Sequence, residues 1–328
     1  MNKIFYVLIF LTGFFLWSCE KDNDFGEKGG EGSKYTGGHG VFVINEGNFG
    51  HGNASLSFLD LDSLEIENGV FYAAAQRPLG DVAFSMNMID SLAWLVINNS
   101  ARIEVFDLEK PEPVATLSGF TSPRFILQVS EQKAYVSDLY AQHLNIVDLV
   151  SREISGSVLL GRSSENMLMA DGKVFVSFWS NYAFPEIENN TIMVVDPVAD
   201  ALTDSVIVGK EPNSMVIDYQ GKMWVLCSGG FMNEEVPSLW RFDPVSLAIE
   251  KSMPFSDIEA SPHNLEINGT GDTLYFLNRG VYRMSVQAGE IPAEPFIAEH
   301  DHLFYSLAVD PNSSMIYTSD AIDYQQRG

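Results

Sequence analysis

Trp94-Leu95-Val96-Ile97-Asn98 is an apolar pentapeptide closed by an amide, and the chain carries seven segments of this pattern. They are Val41–Asn45, Trp94–Asn98, Ala134–Asp138, Val174–Phe178, Met223–Cys227, Leu274–Asn278 and Ile316–Asp320. Their central residues are Val43, Val96, Val136, Val176, Val225, Phe276 and Thr318, so successive copies lie 53, 40, 40, 49, 51 and 42 residues apart. Periods of roughly 40 to 50 residues in a strand-rich sequence predict a β-propeller with one blade per repeat. One blade buries too little apolar surface to stand alone, so the copies have to stack around a ring. A ring has an axis with two loop-covered ends, and a ligand can sit at either.

The same order of elements surrounds each copy. A Pro- or Gly-bearing turn leads into a first strand, as in Glu211-Pro212-Asn213-Ser214-Met215-Val216-Ile217-Asp218. A turn such as Tyr219-Gln220-Gly221-Lys222 then leads to the apolar strand. A third strand ends on Asp107, Asp148, Asp196 or Asp243, and a polar alternating strand such as Leu202–Val208 closes the unit. Short alternating runs between turn formers are the strand signature, and no long window beyond the N-terminal segment has helical periodicity.

These features predict an all-β fold, a seven-bladed β-propeller over residues 40–328. Its innermost strands are expected near 80–86, 124–129, 165–170, 213–218, 263–268 and 303–309. Six inner strands then serve seven second strands, so closing the ring needs three more. The seventh blade is expected to be incomplete here, with the natural C-terminus roughly 25 to 35 residues further on.

At the N-terminus Lys3 precedes an apolar run from Ile4 to Trp17 and then Ser18-Cys19. A basic start, a short apolar core and a small residue before the break describe a secretory signal. The run is shorter than a membrane-spanning helix needs. Leu16-Trp17-Ser18-Cys19 resembles a bacterial lipobox, which implies that residues 1–19 are a lipoprotein signal and Cys19 the lipidated residue. Residues 20–39 hold almost nothing to bury and read as a flexible glycine-rich, acidic tether. The cluster Lys21-Asp22-Asn23-Asp24 resembles the surface-export signal of Bacteroidetes lipoproteins. It implies a lipid-anchored outer-membrane protein at the cell surface, with a periplasm-facing anchor as the alternative.

The chain has 44 acidic and 19 basic side chains, a net charge of −25, the reverse of a nucleic-acid-binding footprint. That charge also repels anionic headgroups, which leaves the lipid as the attachment. Cys227 is the one cysteine besides Cys19, so a mature monomer has no internal disulfide. Within an apolar strand Cys227 reads as a small buried hydrophobe.

The loops that join second to third strands share one face of the ring with the loops that enter the inner strands. Three of the former are long, at 45–52, 179–186 and 228–235, and account for much of the excess in the longer steps. Glycine lets backbone approach a ligand, and flat aromatic rings offer apolar area. The candidate binding residues on this face are Asn48, Phe49, Tyr140, Trp179, Asn181, Tyr182, Asn213, Phe231, His263, Arg279, Asp320 and Tyr324. Capping the ring and packing on neighbouring blades is the alternative role for any one of them. Catalysis finds little support. His300-Asp301-His302 offers two imidazoles where zinc needs a third protein ligand, and Glu234-Glu235 does not set an acid against a base. No enzyme activity, resident cofactor or metal is expected.

Several stretches resemble a Bacteroidetes family of surface propeller lipoproteins recorded as a domain of unknown function and similar to YncE-type and YVTN-repeat propellers. They are Asn45-Glu46-Gly47-Asn48-Phe49-Gly50 with Asn53-Ala54-Ser55-Leu56, Val208–Met215, and Ser319-Asp320-Ala321-Ile322-Asp323-Tyr324. The resemblance spans residues 40–328. It implies capture of cobalamin or a related corrinoid and its transfer to a TonB-dependent outer-membrane transporter. It assigns no contacting residue. The alternatives are a surface scaffold for protein or glycan partners and, further off, a lactonase- or quinoprotein-like propeller enzyme.

Overall fold

The computed structural model describes residues 33–37, 39–180 and 188–322. Among these residues seven antiparallel sheets follow one another in chain order. The first has three strands, Gly40–Asn45, Ser55–Asp60 and Ile66–Glu67. Each of the next five has four strands in chain order, and the last pairs Phe304–Val309 with Ile316–Asp320. The innermost strands of the four-stranded sheets are Ala83–Ile89, Pro123–Ser130, Met167–Ala170, Pro212–Ile217 and His263–Ile267, close to the expected positions.

The architecture is a β-propeller, as expected, but it has six blades of three or four strands and not seven. The seventh copy of the motif forms only a two-stranded sheet, because no further strand lies outside Ile316–Asp320 among the described residues.

In the second to sixth copies the recurring pentapeptide is largely apolar because both of its faces are buried. Side chains alternate across a strand, so neighbours point to opposite faces. In Leu92–Ile97, Ala93, Leu95 and Ile97 join a core with the first sheet, whereas Trp94 and Val96 join a core with the third. Met223, Val225 and Cys227 likewise face the fourth sheet, and Trp224 and Leu226 face the sixth. Leu274 and Phe276 face the fifth sheet while Tyr275 and Leu277 face the last. Six apolar cores result, one between each successive pair of sheets. The first and last sheets meet by a polar link, the Tyr305 hydroxyl 3.2 Å from both carboxylate oxygens of Glu46.

The aspartates that end the last strand but one of the first five sheets build the hairpins to the outermost strands. Oδ1 of Asp60, Asp107, Asp148, Asp196 and Asp243 each accepts the backbone N–H groups two and three residues on, at 2.7–3.1 Å. This is the Asx turn. Those hydrogen bonds favour the ionised form and hold Asp60, Asp148, Asp196 and Asp243 below the ordinary carboxylate range, with Lys222 the largest cause at Asp243.

Among the described residues two short helices fall outside the repeat. Part of the stretch read as a tether is structured: Lys34–Gly37 is helical, and Tyr35 packs on Phe42 and Phe58 while donating to Glu67 at 2.8 Å. Val70–Ala75 forms a helix between the first and second sheets, with Val70 and Phe71 buried. This helical linker, beside the loop after Asn45, lengthens the step from Val43 to Val96.

Phe276 is fully buried between two sheets, so Phe276→Ala is expected to cost about 3–5 kcal/mol in urea unfolding. Val43, 39% exposed on the first strand, is expected to cost less than about 1 kcal/mol on change to Ala; equal losses would contradict the stacking. Glu266, on the innermost strand of the sixth sheet opposite Tyr275, is pushed up to about 7 by burial. A value raised above that of the unfolded chain gives stability that is present at low pH and lost as pH rises through 7. Glu266→Gln is therefore expected to gain about 2 kcal/mol relative to the parent between pH 5 and pH 8. A pH-independent difference would contradict this.

Candidate functional site

The loop face is anchored by the residues that end the recurring strands. The buried carboxylate of Asp138 accepts the N–H groups of Thr121 and Ser122 in its entering loop and those of Tyr140 and Ala141 in the loop beyond, at 2.8–3.1 Å. Asn278 Oδ1 accepts the Ser261 N–H at 3.0 Å. Asp320 accepts the N–H groups of Leu303 and Ile322 and faces His302 Nδ1 at 2.7 Å, which together pull it down to about 2. The fourth and fifth copies end instead in Phe178 and Cys227. There the buried Glu211, entering the fifth sheet, holds the loop after Phe178 through the N–H and hydroxyl of Ser180. Cys227 is itself buried, which pushes its thiol up and leaves it inert.

A second polar layer ties the inner strands across the blades. Arg124 grips the buried Glu165 with Nε and Nη2 at 2.8 and 2.7 Å and stacks on the Phe84 ring at 3.4 Å. Burial pushes the Glu165 carboxyl up against the pull of Arg124, and the charge of Glu211 adds to the push. Glu46 is also raised by burial, with Tyr305 and Arg124 opposing. Ser85 Oγ donates to Arg124 O at 2.6 Å, and Asn87 Nδ2 donates to Ile126 O at 3.1 Å. Asn213 Nδ2 donates to Pro262 O at 2.8 Å, while its Oδ1 accepts the Ser214 hydroxyl.

The candidate residues divide in two against this frame. Phe49 is 75% exposed, Tyr140 62%, Trp179 40% and Phe231 72%, all on loops of one face. Asn48 is exposed beside Phe49, its N–H held by Asn53 Oδ1. Asn213, by contrast, has both polar ends used by the fold. Asp320 is spent on its own loops, His263 Nδ1 lies 2.9 Å from Ser261 O, and Arg279 reaches Glu259 O at 3.2 Å. Cys19, Asn181, Tyr182 and Tyr324 lie outside the described residues. No group of three His, Cys, Asp or Glu side chains that would hold a metal occurs among the described residues.

Sequence reading missed Glu46, Glu104, Glu165 and Glu211. A signal for some of them exists: Arg124 and Glu165 are 41 residues apart, Ser85 and Arg124 39, Asn213 and Pro262 49. A residue one blade period further on lands at the equivalent place in the next blade, so polar pairs at that spacing are blade-to-blade links. Glu104 belongs to an open cleft of about 620 Å³ that Gly52, Arg77, Asp81 and Arg102 also line. It is fully buried, gripped by Arg77 at 2.8 Å and paired with Arg102 at 2.8 Å, so the two guanidinium groups share one carboxylate.

Solved structures with the same architecture support the fold and nothing finer. A chain of the mitotic checkpoint complex is 11% identical, with a TM-score of 0.64, 87% of this chain covered and 83% of that one. A quinoprotein alcohol dehydrogenase-like protein from Bacteroides thetaiotaomicron is 14% identical with a TM-score of 0.64, covering 85% of this chain and 68% of its own. Hydrazine synthase from Kuenenia stuttgartiensis is 14% identical with a TM-score of 0.58, covering 72% and 73%. No curated protein matches the sequence. The model of one family, a domain of unknown function (DUF5074), matches residues 39–321, and the chain belongs to that family.

Proposed function

We propose that the protein is a non-catalytic, lipid-anchored binding module of the outer membrane, displayed at the cell surface, that captures a ligand on its loop face. The observation that carries this reading is the set of exposed aromatic side chains, Phe49, Tyr140, Trp179 and Phe231, on loops of one face. The loop bearing Tyr140 is held by hydrogen bonds to Asp138, and that bearing Trp179 by Ser163 and Glu211. Presenting large rings from pre-positioned loops lowers the ordering cost of binding.

Cobalamin or a related corrinoid is the first candidate, on the family resemblance drawn from the sequence. The apolar faces of a corrin suit Phe49, Trp179 and Phe231, and its edge amides suit Asn48 and loop backbone groups. Transfer to a TonB-dependent transporter is the corresponding partner step. A scaffold role is the second reading. It is favoured by Val150, Val198 and Val245, 70%, 91% and 65% exposed at hairpin tips of three successive sheets, which offer apolar area to a protein partner.

Calorimetric titration of the purified protein with cyanocobalamin is expected to give saturable heat and a red complex that co-elutes on gel filtration. No heat and no co-elution would overturn the corrinoid reading. A stable protein partner recovered without any small ligand would favour the scaffold.

A further inference from the structure

Arg162 is a cation without a counter-ion among the described residues. It enters the fourth sheet on the loop face, and its guanidinium lies over the Phe178 ring, 4.3 Å from the centroid. No carboxylate pairs with it among the described residues, and its Nη1 is buried with no hydrogen-bond acceptor. Three other arginines of this face have a carboxylate, and a fourth, Arg279, reaches the Glu259 carbonyl oxygen. Arg77 and Arg102 share Glu104, and Arg124 has Glu165. In a chain with 44 carboxylates a missing partner is not for want of acid. Burying a guanidinium N–H without an acceptor is costly, and burial here lowers the hold of Arg162 on its proton with nothing opposing it.

The surroundings suit a ligand that brings the acceptor. Trp179 follows Phe178 directly and is 40% exposed. The neighbour of Arg162, Ser163, donates its hydroxyl to the Trp179 carbonyl at 2.8 Å, which fixes the backbone of the indole against the arginine loop. A planar guanidinium with free N–H groups, backed by one ring and flanked by an exposed second ring, is matched by an oxyanion carried on an apolar body.

We propose that Arg162 is the anion-binding residue of the loop face, and that the captured ligand carries a phosphate ester whose apolar neighbour rests on Trp179. This rests on the reading of that face as a ligand-binding surface and adds the charge of the ligand to it.

The first arm of the test uses phenyl phosphate and follows the Trp179 indole N–H by NMR, the signal being assigned with Trp179→Phe. A saturable shift is expected in the parent protein and none with benzyl alcohol. Arg162→Gln is expected to weaken binding roughly tenfold or more, with Arg162→Lys between the two. Thermal unfolding reports whether each variant folds, and Arg162→Lys serves if the glutamine variant does not. No saturable shift in the parent, or one of equal strength in a folded Arg162→Gln, would overturn the proposal.

The second arm separates the anion from the corrin. Cyanocobalamin carries a phosphodiester and dicyanocobinamide is a corrin without it. Arg162→Gln is expected to weaken the first roughly tenfold and the second less than about twofold. Equal losses for both would overturn the proposal and leave the corrinoid reading standing. If neither corrinoid binds the parent while phenyl phosphate does, the corrinoid reading fails and the anion site stands.

Discussion

Burial of the recurring strand on both faces is the constraint from which the rest of the structure follows. A strand such as Met223–Cys227, with all five side chains buried, needs one sheet on each side of it. Supplying a sheet on each side of every such strand produces a stack that bends into a ring, and six apolar cores between successive sheets hold it. Between the first and last sheets the same requirement is met only in part. Gly40–Asn45 has no fully buried residue, nor does Ile316–Asp320, and Tyr305 reaches Glu46 across that seam.

Rigidity in the stack is what makes one face usable as a site. Once the inner strands are fixed, their entering loops are fixed with them, and Asp138, Glu211 and Asp320 transmit that order to the loops beyond. Exposed rings at Phe49, Tyr140, Trp179 and Phe231 are then positions with little freedom to lose on binding. Beneath them Arg124, Glu165, Glu211 and Glu46 form a polar layer that neutralises itself in part, and among the described residues Arg162 has no carboxylate beside it.

Much of the fold was legible because a propeller strand advertises itself by composition. A pentapeptide that is apolar on both faces is unlike the alternating strands around it, and the aspartates after the third strands mark hairpins by local chemistry. The blade number was less legible, since Ile316–Asp320 has the pattern of a second strand whether or not outer strands follow it. The helix Val70–Ala75 was missed because six residues are too few for a helical period to register. At the site, Phe49, Trp179 and Phe231 are exposed on the long loops that drew attention to them. Asn213 and Asp320 instead have side chains that hydrogen-bond within the fold, which no local sequence signal announces. Neither Glu165 nor Glu211 carries a local motif; their meaning depends on partners one blade away. Arg162 was passed over for the same reason in reverse, since a missing partner is invisible until the structure shows which acids are already taken.

Native-state hydrogen exchange tests the stacking account most directly. Backbone amides of Leu92–Ile97 and Met223–Cys227, enclosed by sheets on both sides, are predicted to exchange only with global unfolding. Those of Gly40–Asn45 and Ile316–Asp320, which border the polar seam, are predicted to exchange at least roughly a hundredfold faster. Equal protection of Gly40–Asn45 and Met223–Cys227 would contradict the claim that inter-sheet apolar burial holds this ring together.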